Sequence, residues 1–196
     1  MTEQNKATNA QSKKTPLVVI LGVVGLLSLL LGWGVGSLFD KTALSSKSQI
    51  GSSGENALWA EFLATPWKNP EGAAIDTSTW AGKTVVLNFW GSWCPPCVEE
   101  MPMLARLSDE FKSQNVLFVG IGIDSPSNIR EFLKKMPIPY PIAIGGLDGS
   151  NWAKRLGNEA GGLPFTIIVA PNGSSKITKL GKISEEEIRT AIKDIK

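Results

Sequence analysis

The sequence contains no histidine and only two cysteines among its 196 residues. Without histidine the chain cannot form a Ser-His-Asp triad, a Cys-His protease dyad or an imidazole metal site. Two cysteines are too few for an all-thiolate zinc site, and they cannot hold an iron–sulfur cluster alone. The length indicates one domain with at most an appendage, and a hydrophobic fraction of 42% argues against disorder throughout.

The chain has no excess of charge outside the N-terminus. The formal net charge is +2, and residues 1–16 account for all of it, because the acidic and basic residues of the remaining chain balance. A neutral domain with scattered charges lacks the basic surface that nucleic acid requires, so we expect no nucleic-acid partner. The charged residues of the tail are Lys6, Lys13, Lys14 and Glu3.

A long apolar run follows this tail. Residues 17–39 carry no charge and consist mainly of Leu, Val, Ile and Gly, and as a helix they would span about 34 Å, enough for a bilayer core of roughly 30 Å. The basic tail before the run predicts that residues 1–16 are cytoplasmic and that the chain after Asp40 lies outside. The alternative is a cleaved signal peptide, for which Gly34-Val35-Gly36 is a loose cleavage site, but such apolar regions usually have only 7–15 residues.

Composition divides the rest of the chain. Residues 40–56 are rich in Ser and Gly and are predicted to form a flexible tether, and residues 57–196 are predicted to form the globular domain. Strands alternate with helices before a terminal hairpin and helix, which indicates an α/β three-layer sandwich with a mixed central sheet. The predicted strands are Thr84 to Trp90, Val116 to Ile123, Ile142 to Ile144, Phe165 to Ala170 and Ser175 to Leu180, with extended segments at Ala60 to Trp67 and Ala73 to Asp76.

The predicted helices carry recognisable caps. They are Cys97 to Gln114, Asn128 to Met136 with Ser127 as its cap, Asn151 to Leu156 ended by Gly157, and a last helix that begins at Ser184 with Glu187 completing a capping box.

The two cysteines form the sequence Trp93-Cys94-Pro95-Pro96-Cys97, where a predicted central strand ends and a helix begins. At a helix start, unpaired N–H groups and the positive end of the dipole favour a thiolate, the form that attacks a disulfide. The spacing of three residues lets Cys97 reach back and resolve a mixed disulfide at Cys94. Pro95 and Pro96 remove backbone donors and fix φ, which stiffens the loop.

Other roles for this pair fit less well. A zinc half-site would need partner ligands that the chain lacks, and a structural disulfide of this spacing closes almost no loop and stabilises little. The sequence therefore predicts redox chemistry with no metal and no cofactor other than a Cys94–Cys97 disulfide, whereas a structural disulfide or an intermolecular metal site remains the alternative.

The stretch from Thr84 to Lys196 resembles the thioredoxin superfamily and, within it, the membrane-anchored bacterial TlpA/ResA-like thiol:disulfide oxidoreductases. The resemblance is carried by VVLNFWGSWCPPC (Val85 to Cys97), EEMPML (Glu99 to Leu104) and GGLPFTIIV (Gly161 to Val169). It implies a thioredoxin-like fold preceded by an N-terminal transmembrane helix.

The resemblance also implies roles for particular residues. Cys94 would be the exposed nucleophile, Cys97 the buried resolving thiol and Pro164 a cis-proline that faces them. The backbone of Leu163 would pair with an extended substrate strand, and Trp93 would border the substrate groove.

Polar residues near the dithiol depart from thioredoxin itself. Asn88 stands where thioredoxin has a buried Asp, so a polar group is kept without its charge. Asp124, at the end of the next strand, is either a substitute proton carrier or a turn residue. Glu99 and Glu100 are expected to be solvated residues that compensate the helix dipole.

The sequence therefore predicts a single-pass protein of the bacterial inner membrane whose catalytic domain lies on the periplasmic side. We expect it to reduce the disulfides of particular proteins, for example in the maturation of cytochrome c or another metalloprotein, with electrons from a membrane donor. A disulfide oxidase or isomerase is the alternative enzyme, and a thiol metallochaperone that binds Cu(I) is the non-enzymatic alternative.

Overall fold

The computed structural model describes residues 43–195, with side chains from residue 54 onward. The chain divides into two compact units, Met1–Ile50 and Gly51–Lys196, and the sheet and both cysteines belong to the second. None of the helices in the described residues combines the length and the apolar character needed to cross a membrane. The predicted tail and transmembrane segment, residues 1–16 and 17–39, lie outside the described residues.

Five strands form one mixed sheet in the order β3-β2-β1-β4-β5. The central strand β1 pairs in parallel with β2 and antiparallel with β4, β3 adds in parallel to β2, and β5 adds antiparallel to β4. This is the mixed sheet that the sequence predicts. The strands are β1 (Thr84–Trp90), β2 (Val116–Gly122), β3 (Ile142–Ile144), β4 (Phe165–Val169) and β5 (Ser175–Leu180).

Helices cover both faces of the sheet, as expected for a three-layer sandwich. They are α1 (Ala43–Ala64), α2 (Pro95–Phe111), α3 (Pro126–Lys135), α4 (Gly146–Arg155) and α5 (Glu185–Ile195), with short 3₁₀ helices at Thr77–Trp80 and Lys112–Gln114.

Alternate side chains of β1 point into two separate hydrophobic cores, because successive strand residues face opposite sides. Val85, Leu87 and Phe89 pack in the core that includes residues of α1 and α4. Val86 and Trp90 pack in the core formed with α2, α3 and α5, and both cysteines belong to this second core. The dithiol therefore rests on one face of a strand whose seven residues are all buried.

The N-terminal part of the described chain differs from the prediction. Helix α1 occupies Ala43–Ala64, including most of the segment 40–56 predicted as a flexible tether and part of the predicted extended segment at Ala60 to Trp67. Both predictions are wrong there, since local Ser and Gly content does not reveal that Trp59 and Phe62, near the end of the helix, are buried against the sheet. The second extended segment is reduced to a single bridge between Lys68 and Ala74.

The cap predictions have mixed outcomes. Ser125, not Ser127, caps α3 by accepting a hydrogen bond from the amide of Asn128, because the helix begins at Pro126, a residue suited to a first helical position. The capping box of α5 is confirmed: Ser184 Oγ accepts from the amide of Glu187, and a carboxylate oxygen of Glu187 accepts from the amide of Ser184.

Candidate active site

The dithiol lies where β1 leads into α2, as predicted. Cys94 is the N-cap residue of α2, and Cys97 lies in its first turn and donates its amide hydrogen to the carbonyl of Cys94. Pro95 and Pro96 occupy the first helical positions, where a missing N–H costs no helical hydrogen bond. The two cysteines form a disulfide, with their Cα atoms 5.3 Å apart.

The disulfide is nearly covered by its surroundings. Cys97 is fully buried, as the resemblance implies, but Cys94 retains only 4% of its surface and is less exposed than the predicted nucleophile. The reason is that Cys94 packs in the same core as Trp90 and Met101. The exposed surface next to it belongs to Pro95 and Trp93, and Trp93 is 64% exposed.

The loop before β4 contributes the second part of the site. The Leu163–Pro164 peptide bond is cis, as the resemblance implies. The carbonyl of Pro164 accepts a hydrogen bond from the amide of Gly181, which connects this loop to the end of β5. Leu163 is half-buried, packs against the core that contains the cysteines and lines a groove together with Trp93.

The indole of Trp93 is held at the edge of the site by two features. Its Nε1 donates to the carbonyl of Ile123 over 3.3 Å. Its ring lies across Gly91, where a Cβ atom would come within 2.8 Å of the indole Nε1. The glycine two residues before Trp93 therefore allows the ring to fold back toward β2.

Asp124 connects the loop of the dithiol to the start of α3. One carboxylate oxygen accepts from the hydroxyl of Ser92, and the other accepts from the amide of Ser125 and from Asn128 Nδ2, each at 2.7 Å. Burial opposes ionisation, but these hydrogen bonds outweigh it and hold the pKa of Asp124 below its ordinary value. These contacts favour the role of a turn residue over that of a proton carrier. A proton carrier must be protonated for part of the time, and the lowered pKa keeps Asp124 ionised.

The structure adds a residue that the sequence prediction missed. Glu99 is exposed as expected and pairs with Lys182 over 2.7 Å. Glu100, however, is 2% exposed, and the expectation that it is solvated is wrong. The signal was present, because Glu100 is three residues after Cys97 and four before Leu104, on the apolar face of the helix.

Glu100 belongs to a buried polar cluster with Asn88 and Thr166. Asn88 Nδ2 donates to Glu100 Oε1 over 2.8 Å and to Thr166 Oγ1 over 3.0 Å, and the amide of Ile183 donates to Glu100 Oε2 over 3.1 Å. Burial nevertheless raises the pKa of Glu100 above its ordinary value. A carboxyl group that loses its proton less readily than an ordinary glutamate therefore lies one helical turn from the buried cysteine Cys97.

Comparison with known proteins places these features in a family. The Redoxin family model matches residues 63–195, which include the dithiol, the cis-proline and the buried glutamate. The chain is similar to two proteins named thiol-disulfide oxidoreductase ResA. That of Geobacillus kaustophilus is 29% identical over 187 residues, 94% of this chain and 98% of the relative. That of Bacillus subtilis is 29% identical over 185 residues, 94% of this chain and 96% of the relative.

Solved structures with the same fold include two close in size to this domain. A thioredoxin-related protein from Neisseria meningitidis serogroup B is 32% identical, with a TM-score of 0.59, and the match covers 66% of this chain and 97% of that one. The DsbF protein of MTB, solved in mixed oxidised and reduced forms, is 26% identical with a TM-score of 0.58, over 68% and 96% of the two chains.

Proposed function

This chain belongs to the Redoxin family and is a TlpA/ResA-like thiol:disulfide oxidoreductase, and from that premise we propose that it is a membrane-anchored reductase of particular extracytoplasmic protein disulfides. The observation that carries the proposal is the Cys94–Cys97 pair at the N-terminus of α2. The buried Cys97 lies behind the slightly accessible Cys94, which is the arrangement that a two-step exchange needs.

In the proposed reaction the reduced protein begins with two thiols. The thiolate of Cys94 attacks one sulfur of the substrate disulfide, a mixed disulfide forms, and the other substrate sulfur leaves as a thiolate. The thiolate of Cys97 then attacks the sulfur of Cys94, the protein disulfide forms, and the second substrate thiolate leaves. Two electrons pass from protein to substrate, and each leaving thiolate takes up a proton according to its pKa.

The substrate would be held by the loop before β4 and by the edge of the site. Leu163, next to the cis-proline Pro164, is a half-buried residue, and its backbone would pair with an extended substrate segment. Trp93 provides exposed aromatic surface beside Cys94. Asn88 and Asp124 would be support residues, the first through Glu100 and the second through the hydroxyl of Ser92.

Residues 17–39 would anchor the enzyme in the bacterial inner membrane, with residues 1–16 in the cytoplasm and the redox domain on the periplasmic side. The basic tail and the length of the apolar run support this topology. The similarity to the ResA proteins supports it too. The alignment covers 94% of this chain, and the part left out is shorter than the segment 1–16 that precedes Leu17. The alignment therefore includes residues 17–39.

Electrons would reach Cys94 and Cys97 from a membrane reductant, since these cysteines are the redox groups of the chain and each turnover leaves them oxidised. The substrates would be cysteine pairs of secreted proteins, such as those of apocytochrome c or another metalloprotein that must be reduced before its cofactor is attached.

The reduction potential decides between a reductase and an oxidase. We expect the full chain, equilibrated with thiol–disulfide buffers in mild detergent, to have a potential of roughly −200 to −270 mV, as in proteins that donate electrons. A value near about −120 mV is typical of a strong oxidant and would favour the oxidase. Tight Cu(I) binding by the reduced dithiol, without exchange activity, would instead indicate a metallochaperone.

A further inference from the structure

The loop between α4 and β4 begins at a fixed helix end. The amide of Gly157 donates to the carbonyl of Lys154 over 3.0 Å, and its φ of +108° is the left-handed conformation typical of such an end. The amide of Asn158 donates to the carbonyl of Ala153 over 2.9 Å. Together these two bonds form a Schellman motif, so the backbone of Asn158 is held to the helix.

Asn158 also holds the residues that follow it in the loop. Its carbonyl accepts a hydrogen bond from the amide of Gly161 over 3.0 Å, and its Nδ2 donates to the carbonyl of Gly162 over 2.8 Å. The residue is 2% exposed, so water competes little for these bonds. One buried residue thus joins the fixed end of α4 to Gly162, which directly precedes Leu163.

The side chain of Asn158 is not the best choice for stability alone. Its Oδ1 atom is buried and has no hydrogen-bond partner among the described residues. A buried acceptor without a partner costs at least as much stability as one hydrogen bond returns, and an apolar side chain of similar size would avoid that cost. What asparagine adds over such a side chain is the Nδ2 donor, and this donor acts on the carbonyl of Gly162.

The hydrogen bond from Asn158 orients the peptide unit between Gly162 and Leu163. This unit is trans, because the cis bond of the loop is the next one along the chain. In a trans unit the C=O and N–H groups point in opposite directions, so a carbonyl turned toward Asn158 turns the amide of Leu163 away from it. That amide donates to no group of the described residues, and it belongs to the backbone that would pair with an extended substrate.

We propose that Asn158 is a positioning residue for protein substrates: by holding the carbonyl of Gly162, it keeps the amide of Leu163 directed at a carbonyl group of the substrate segment. This role rests on the proposed function, because it concerns substrate binding in the same exchange reaction. Asn158 acts through the loop and not on the sulfur atoms. Without its N–H the peptide unit can rotate, and the substrate segment loses a hydrogen bond.

The test compares two substrates of the reduced full chain in mild detergent. One is the disulfide-linked dimer of a Gly/Ser peptide with a single central cysteine, which can pair with the loop. The other is hydroxyethyl disulfide, which has no peptide backbone. The ratio of kcat/KM for the peptide to kcat/KM for hydroxyethyl disulfide measures the pairing, because the ionisation of Cys94 affects both values and cancels.

Two variants change the donor in different ways. Asn158→Leu removes it at every pH and should lower the ratio about three- to tenfold, the factor expected for one hydrogen bond. Asn158→Asp should lower the ratio equally where the new carboxyl group is ionised, because a carboxylate has only acceptors. Burial raises the pKa of this new group. Below that pKa its O–H can donate to the carbonyl of Gly162, and the ratio should return toward the parent value.

The surroundings of the new carboxyl group favour neither of its states by charge. Lys154 and Glu159 line the groove beside Asn158, and their charges are opposite. Asn151→Asp, at an exposed asparagine of α4, is the matched control and should keep the parent ratio at every pH.

An unchanged ratio in Asn158→Leu would overturn the positioning role. So would a ratio in Asn158→Asp that is equally low at acid and alkaline pH, because the donor would then not be its cause. Either variant decides the question if the other does not fold. A parent protein that reduces hydroxyethyl disulfide but shows no preference for the peptide would also overturn the role. A parent protein that reduces neither substrate would instead overturn the proposed function.

Discussion

Asn88 in the middle of β1 donates a hydrogen bond to Glu100 in the second turn of α2, and both side chains are 2% exposed. The bond crosses from the sheet to the helix that carries the dithiol. It gives Asn88 a defined role as the partner of a buried carboxyl group. Thioredoxin has a buried Asp on the strand at the position of Asn88. In this chain the buried titratable group near the cysteines is Glu100, which lies on the helix.

We expect Glu100→Gln to change how stability depends on pH. Because burial raises the pKa of Glu100 above 4.5, the folded protein keeps a proton that the unfolded chain has lost as pH rises beyond that value. The free energy of unfolding therefore falls with rising pH, by about 1.4 kcal/mol for each unit of the shift. Glutamine removes this decline, and denaturant titrations between acidic and neutral pH should show a flatter curve for the variant.

Glu99→Gln is the matched control, because Glu99 is the neighbouring residue and is exposed. It should leave the pH dependence of stability unchanged. The substitution should not prevent folding, because the new side-chain amide can find a partner. The Oδ1 atom of Asn88 is unpaired, and after a rotation of the Asn88 side-chain amide it can accept a hydrogen bond from the amide introduced by Glu100→Gln. A pH dependence identical in Glu100→Gln and the parent protein would contradict the buried titration.

The same substitution should affect the thiols. A carboxylate one helical turn from Cys97 opposes a second negative charge there. In the reduced protein, thiolate absorbance should therefore appear at lower pH in Glu100→Gln than in the parent protein, and the Glu99→Gln curve should follow the parent.

Substitution of the two cysteines should separate attack from resolution. Cys97→Ser should accumulate a mixed disulfide between Cys94 and its protein substrates, because no second thiol is left to release them. Cys94→Ser should accumulate none and should lose nearly all reductase activity, since Cys97 is fully buried. Non-reducing gels of membranes that carry each variant measure the adducts, and adducts in Cys94→Ser alone would reverse the two roles.

Asp124→Asn should destabilise the loop of the dithiol in a pH-dependent way. The pKa of Asp124 is held below 3.8 in the folded protein. Its carboxylate therefore adds to the free energy of unfolding above that pH, and this contribution is lost as pH falls through the lowered pKa. At neutral pH the loss of charge-assisted hydrogen bonds should cost about 1–3 kcal/mol, and the difference from the parent should shrink in acid. Denaturant titrations of the variant and the parent protein at neutral and at acid pH measure this difference in the free energy of unfolding.

Asp109→Asn on α2 provides a control at an exposed aspartate and should be nearly neutral at either pH. A cost for Asp124→Asn that is equal at neutral and acid pH would argue that packing, and not the ionised carboxylate, holds Ser92 and the loop.

Gly91→Ala should displace the indole of Trp93. The new methyl group would lie 2.8 Å from the ring, and the flexible end of an exposed side chain is what must yield. Stability should change by less than about 1 kcal/mol. The kcat/KM for reduction of a peptide disulfide should fall several-fold, about the value of a lost aromatic contact between Trp93 and the substrate. Gly54→Ala, where a Cβ atom meets nothing within 4 Å, is the control for kcat/KM and should leave it unchanged. Its stability should rise by up to about 1 kcal/mol, because Gly54 lies within α1 and alanine favours a helix.

Local patterns predicted much of the fold. The buried strands, the hairpin of β4 and β5 and the capping box at Ser184 and Glu187 could be found because each depends on neighbours in sequence. The dithiol could be located for the same reason, since a strand, a CxxC pair and a helix follow one another. The resemblance to a known family supplied the cis-proline at Pro164, which no spacing rule predicts.

By itself, the sequence determined the position of Cys94 and Cys97 and the lack of a histidine that could assist them. Only the tertiary structure decided the surroundings of these cysteines. Burial of Glu100 against Asn88 depends on how α2 lies on the sheet, and Trp93 and Leu163 line one groove because chain segments distant in sequence come together. Contacts of this kind follow from packing between elements, which hydrophobic periodicity restricts but does not specify.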